Sequence, residues 1–175
     1  GVGSRTPYQS NRIRAYLDDI PLTSGDGVTS LEDVDVLGIG SVEILKGPSS
    51  ALYGSGLGGV VRLNSPYPRK DGFTAGTVHT LGSFLTMKNS ITAGYKHERM
   101  AIFGGLARSY SEGYRENSTY TRNNAFLSAR YFGRKNTFSL TFNLVDLTAQ
   151  IPSSLNDTDF LNYPWKAAEN WLAIE

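Results

Sequence analysis

From Gly72 onward, apolar and polar residues alternate with a period of two. In Thr137-Phe-Ser-Leu-Thr-Phe-Asn-Leu144 one face carries Phe138, Leu140, Phe142 and Leu144, and the other carries Thr137, Ser139, Thr141 and Asn143. Met87–Lys96 repeats this, with Met87, Ile91, Ala93 and Tyr95 set against Lys88, Ser90, Thr92 and Lys96. Met100, Ile102, Leu106 and Tyr110 line up in a third segment, and Ala125, Leu127, Ala129 and Tyr131 in a fourth. Successive side chains of a strand point to opposite faces, so this pattern predicts strands rather than helices.

The connections carry a second pattern. Lys96–Arg99 and Gly133–Asn136 read as tight turns, whereas Ser109–Asn123 and the stretch from Asp146 to about Asn170 are long, polar and aromatic. Bacterial outer-membrane barrels alternate short periplasmic turns with long extracellular loops. Phe84, Tyr95, Tyr110, Tyr131 and Phe132 sit near strand ends, as an interfacial aromatic girdle would require. A soluble sandwich also alternates along its strands, but the rhythm of the connections favours the barrel. Five strands and the start of a sixth are too few to close one, so the missing wall is expected in further sequence.

Before Gly72 the segments are shorter and more varied. Arg12–Asp18 reads as a strand ending in an Asp-Asp-Ile-Pro turn, and Thr23–Gly27 as a loop. Ser30 is placed to cap a helix over Leu31–Leu37, with Asp33 in the capping-box position. Val42–Lys46 reads as a strand that breaks at Gly47-Pro48. A single turn ending at Tyr53 follows, then the glycine-rich 54–59, then a strand over Val60–Asn64. Pro66-Tyr-Pro-Arg-Lys-Asp-Gly72 has the composition of a linker. The expected division is therefore 1–66 and 67–175.

Composition narrows the functional classes. A net charge of +1 over 175 residues argues against a nucleic-acid partner, and zero cysteines exclude a disulfide framework and thiolate metal sites. No apolar run approaches the ~18 residues of a membrane-spanning helix, which leaves a barrel open. Gly54-Ser-Gly-Leu-Gly-Gly59 formally matches a dinucleotide fingerprint, but Val60-Val-Arg-Leu63 after it reads as strand rather than the helix that fingerprint needs. No nucleophile motif is present, and His79 and His97 lack a third ligand at metal spacing. The expectation is a protein with no catalytic residues, no metal site and no cofactor.

Glu43-Ile-Leu-Lys-Gly-Pro48 followed by Ala51-Leu-Tyr-Gly54 and Gly58-Gly59 resembles the plug signature of TonB-dependent outer-membrane receptors. Arg14-Ala-Tyr-Leu-Asp-Asp-Ile-Pro-Leu-Thr23 is similar to that family's strand-turn, with Asp19 where glycine is usual. The resemblance implies a mainly β chain: the C-terminal part of a plug domain, then the first five or six antiparallel strands of a transmembrane barrel of twenty-two. Glu43, Gly47, Pro48, Tyr53, Gly54, Gly58 and Gly59 would form the plug motif. Lys46 stands where the family carries an arginine that helps lock plug to barrel wall. Lysine keeps that charge but loses the bidentate fork, and its acidic partners are expected beyond Glu175.

By the same resemblance, the plug loops holding Arg5, Tyr8, Gln9, Ser24 and Asp26 would face the outside and touch ligand. Tyr114, Arg115 and Tyr120 would contribute from extracellular loops. A cation, aromatic faces and amides suit an anionic, oxygen-rich ferric chelate. The implied function is TonB-dependent uptake of a ferric siderophore or ferric-citrate-like complex across the bacterial outer membrane, with outer-membrane lipid around the barrel. TonB, ExbB and ExbD would be the energy-coupling partners, acting through a TonB box expected ahead of Gly1. The alternatives are a receptor for haem, cobalamin or a glycan, and a signal-transducing surface binding module without transport.

Overall fold

A computed structural model describes residues 13–23, 29, 31, 34–47, 53 and 58–168. The small sheet at the N-terminal end has the order β2-β1-β4-β3. It is built from β1 (Ile13–Leu17), β2 (Ile20–Pro21), β3 (Ser41–Lys46) and β4 (Gly59–Asn64). β4 pairs parallel with β1, from Ile13 opposite Gly59 to Leu17 opposite Leu63, and antiparallel with β3. Ala15, Leu17, Val60 and Leu63 are its buried apolar residues. Gly59 faces Lys46 with φ of +125°, and a Cβ there would lie 2.3 Å from the carbonyl oxygen of Leu45. Only glycine fits that position.

β1 and β2 join through Asp18 and Asp19, whose φ values of 49° and 71° are both positive. Two-residue hairpins favour this geometry because its twist matches that of the strands, usually with glycine second. Among the described residues the helix expected over Leu31–Leu37 is absent, since Leu31, Val34 and Asp35 are not helical. Val36–Gly38 make a single 3-10 turn capped by Asp35, whose carboxylate accepts from the Leu37 amide at 2.9 Å. Ser30 and Asp33 lie outside the described residues. The Val34-Asp-Val36 run is poor in helix formers, and the chain must straighten by Ser41 to enter β3.

The large sheet is an open antiparallel meander in sequence order. Its strands are β5 (Gly72–Gly82), β6 (Thr86–His97), β7 (Met100–Ser111), β8 (Tyr120–Phe132) and β9 (Thr137–Ala149). At 11 to 13 residues each, they are long enough to span a bilayer. The expected tight turns fall at Glu98-Arg99 and at 133–136, and the connection 83–85 is equally short. The stretch after β9, where the polar and aromatic composition predicts a loop, holds a short helix, α1 (Asp157–Asn162). Asn156 caps it by accepting from the Asp159 amide, and Asp157 and Asp159 occupy its first turn. Among the described residues, no helix is long and apolar enough to cross a membrane.

The large sheet is amphipathic with the sign reversed from a soluble protein. Phe138 and Leu140 are 65% and 64% exposed, and Leu81, Ile91, Leu106 and Phe142 are exposed as well. Apart from Phe126, the buried positions are small or polar: Ser90, Ala101, Ala107, Ser109, Ser111, Asn124 and Ser128. Transmembrane barrels put their apolar residues on the outside in this way. Tyr95 and Tyr131 belong to the exposed face, as a girdle requires, but Phe132 does not. Its ring lies 5.8 Å from that of Tyr67.

The chain divides into two compact units, one of residues 1–74, 93–104 and 126–143, the other of 75–92, 105–125 and 144–175.

Candidate functional site

Within the first unit, the small sheet is tied to the strands beside it by a polar cluster around Asp18. Its Oδ1 accepts from Arg130 Nη2 and from the Ser65 amide, both at 2.8 Å, and its Oδ2 accepts from the Thr141 hydroxyl at 2.8 Å. The Asp18 side chain is 7% exposed and that of Arg130 16%. Burial pushes the Asp18 carboxyl up, but hydrogen bonds from Ser65 and Thr141 and the charge of Arg130 outweigh it and hold the group below its usual value.

Arg130 also donates to the Ser65 hydroxyl at 2.8 Å and lies over the Tyr67 ring, 4.3 Å from its centroid. The hydroxyls of Ser65 and Ser128 meet at 3.1 Å. An apolar contact accompanies this cluster: a Cβ on Gly38 would come within 2.9 Å of the Phe126 ring, so the 3-10 turn and β8 lie in close van der Waals contact. Glu43, Asn64, Tyr67, Arg69 and Arg130 border a polar cavity of about 340 Å³.

Lys46, the residue expected to take part in a lock, ends β3 with its side chain exposed, and no ion pair involves it among the described residues. The motif glutamate Glu43 is engaged instead by Arg62 of β4, at 3.2 Å. Arg62 also reaches Asp19 at 2.7 Å, so Asp19 contributes an ion pair that glycine could not. The Tyr53 carbonyl accepts from the Tyr16 hydroxyl at 3.1 Å, and the two rings lie 5.4 Å apart. Gly47 has φ of +92° at the break after β3, and Gly58 leads into Gly59. Arg5, Tyr8, Gln9, Ser24, Asp26, Pro48 and Gly54 lie outside the described residues.

In the second unit, Arg115 organises a loop cluster. Its Nε and Nη2 donate to the Lys166 carbonyl at 3.0 and 2.9 Å, and its Nη1 donates to the Ser153 carbonyl at 2.7 Å. The guanidinium is therefore occupied by main-chain oxygens and braces residues 112–119 against 150–168. Asn117 Nδ2 donates to the Ile151 carbonyl, and the Glu116 carboxylate accepts from the Ala167 amide. Tyr114 is exposed and meets Phe84 edge to face at 5.5 Å. Tyr120 opens β8, half-buried. Tyr110, Tyr114, Arg115 and Trp165 are among the residues lining an open depression of about 350 Å³. Among the described residues, no three carboxylate or histidine side chains gather as a metal site would require.

Residues 1–61 match the sequence model of the family described as TonB-dependent Receptor Plug Domain. Three solved structures share the fold. The copper transporter OprC superposes with a TM-score of 0.67 at 14% identity, over 79% of this chain and 23% of that one. The pyoverdine outer membrane receptor FpvA from Pseudomonas aeruginosa PAO1, solved with pyoverdine bound, gives 0.61 at 15%, over 80% and 23%. The ferric-catecholate import receptor Fiu from E. coli K12 gives 0.62 at 22%, over 81% and 21%. The present chain thus spans less than a quarter of each of these proteins. Residues 1–61 carry a plug-domain sequence, and the chain, with an inverted amphipathic sheet after it, shares the fold of these three proteins. The similar proteins are transporters and receptors rather than enzymes.

Proposed function

We propose that the protein containing this chain imports an iron complex, a ferric siderophore or a ferric-citrate-like chelate, by TonB-dependent active transport, and is not an enzyme. The observation that carries this reading is the seating of the small sheet. Asp18, Ser65 and Tyr67 hold it to Arg130 and Thr141 by hydrogen bonds, one ion pair and ring contacts. Such a plug blocks passage at rest, yet its bonds can be exchanged for water when it is displaced.

In this reading residues 1–66 are plug and 67–175 begin the barrel. TonB, with ExbB and ExbD, supplies the energy through a TonB box ahead of the plug. Arg5, Tyr8, Gln9, Ser24 and Asp26 are the plug's ligand contacts, with Tyr114 and Tyr120 adding aromatic contacts. Arg115 holds the loop that presents Tyr114. Lys46 serves the plug–barrel lock from its strand end. The iron arrives as substrate and is no resident cofactor.

Growth of a deletion strain under iron limitation, on one ferric siderophore, ferric citrate, haem or cobalamin at a time, tests the proposal. Loss of growth on one ferric chelate, restored by the full-length gene only when TonB is present, is expected. Unchanged uptake of every iron complex would overturn it, and a defect confined to haem, cobalamin, a glycan or copper would redirect it.

A further inference from the structure

Tyr110, Glu112, Tyr114, Arg115, Glu116 and Trp165 are among the residues lining the open depression of about 350 Å³ in the second unit. That volume is near the lower end for ligand sites and suits one arm of a ferric chelate rather than the whole complex. The cation of this lining is already spent. The Arg115 guanidinium donates to the carbonyls of Lys166 and Ser153, and at 3.4 Å to that of Pro152. Lys166 does not line the depression. Its Nζ lies over the Tyr163 ring, 4.7 Å from the centroid.

The carboxylates are not spent. Glu112 is exposed, and among the described residues no hydrogen bond or ion pair engages its side chain. Glu116 is fixed through Oε2 by the Ala167 amide at 3.2 Å. Tyr114 and Trp165 are 54% and 48% exposed. Each makes an edge contact with one neighbouring ring, Phe84 and Tyr163 respectively, and much of its surface stays open. Carboxylates beside exposed aromatic rings suit an ammonium group, since the former give charge-assisted hydrogen bonds and the latter attract a cation. An anionic arm would meet Glu112 and Glu116 with Arg115 already occupied. A bare metal ion would find no third carboxylate or histidine among the described residues.

We infer that this depression receives a cationic arm of the chelate, an ammonium held by Glu112 and Glu116 with Tyr114 and Trp165 against it. The inference rests on the import reading above and sharpens it. A ferric siderophore with a pendant amine is favoured over a ferric-citrate-like anion. The role of Arg115 is reversed from the one its charge suggests in the sequence. Instead of meeting an anion, it holds the two loops that bring Glu112, Glu116 and Trp165 together.

The test uses the full-length receptor in detergent micelles and two probes. Ferric desferrioxamine B carries a pendant ammonium, and its N-acetyl derivative lacks that charge. Binding of each is read by titration calorimetry. A charge-assisted bond is worth roughly tenfold in affinity, so the cationic chelate should bind at least about tenfold more tightly. Glu112→Gln should remove most of that preference. Asp157→Asn, which removes an exposed carboxylate of α1 outside the depression, should keep it. Equal binding of the two probes by the unmodified receptor would overturn the inference, a comparison that needs no variant to fold. So would binding of neither probe, or a full preference retained by Glu112→Gln. Uptake of labelled chelates by cells with and without TonB separates this inference from the import reading. A cation preference without TonB-dependent uptake would sink import and leave the site. TonB-dependent uptake of ferric citrate, with both probes bound equally, would sink the site alone.

Discussion

Asp18 and Arg130, 112 residues apart in the chain, meet through a single 2.8 Å bond between Oδ1 and Nη2, with both side chains largely withdrawn from solvent. The pair joins a hairpin turn of the small sheet to the fourth strand of the large one, and Ser65, Thr141 and Tyr67 complete its surroundings. Breaking a buried pair from one side strands the remaining charge, which costs about 3–5 kcal/mol when burial is complete. Arg130 keeps some solvent access, so Arg130→Ala should cost about 2–3 kcal/mol. Denaturant unfolding of the full-length protein measures this. The double change Asp18→Asn with Arg130→Gln should cost less than the sum of the two single changes, and strict additivity would refute the coupling.

The pH dependence of this junction has a definite sign. The folded carboxyl of Asp18 titrates below its usual value near 3.8. Its contribution is therefore fully present above that value and lost as pH falls through the lower folded one. Stability should be insensitive to this group between pH 5 and 7 and should drop in stronger acid. Asp18→Asn should flatten that acid limb, and a variant with the same acid profile as the parent would show that other groups cause it.

Asp19 sits at φ of 71° in a position where hairpins favour glycine. Asp19→Gly relieves that strain, worth about 1 kcal/mol, but removes the exposed ion pair to Arg62, worth under about 1 kcal/mol. The two effects should nearly cancel, leaving the melting temperature of the receptor within about 2 °C of the parent. A large loss would mean that Arg62 depends on Asp19 to hold Glu43.

Arg115 holds two loops through bonds to the carbonyls of Lys166 and Ser153. Arg115→Ala should release residues 112–119 and 150–168 together while leaving the strands protected. Hydrogen exchange of the full-length protein should show a rise confined to those two segments, at least about tenfold, corresponding to one charged hydrogen bond of about 1.5 kcal/mol. Faster exchange in one segment alone would show that Arg115 does not couple them.

Gly38 lies under Phe126 with no room for a larger residue. Gly38→Val should force the ring away and cost about 1–3 kcal/mol, as overpacking does. Phe126→Leu in the Gly38→Val background should recover part of that loss, and no recovery would place the clash elsewhere.

The strands were legible because period-two alternation needs only local sequence, and β6 through β9 follow it closely. The face assignment of Phe132 was not, since proximity to a strand end does not tell which side a residue takes. The parity of its neighbours does: Ser128 and Arg130 share its face, so Phe132 turns toward Tyr67. The helix expected at Leu31–Leu37 rested on a capping pattern, and the Val-Asp alternation against it was the better guide. In α1 the reverse held, because Asn156 followed by Asp157 and Asp159 is itself a helix-start pattern within a stretch read as loop. The Asp18–Arg130 pair had no local signature at all. A single turn aspartate and a single strand arginine find each other only once both sheets have formed.

The parallel pairing of β1 with β4 has a mechanical consequence. Tension applied ahead of Ile13 runs along β1, and its bonds to β4, from Ile13 opposite Gly59 to Leu17 opposite Leu63, carry the load side by side. They must slip together rather than open in turn like a zip. β3, on the sheet's edge and joined only to β4, can instead peel away one bond at a time. Within this sheet, a steady pull from ahead of Ile13 therefore meets its stiffest resistance at β1.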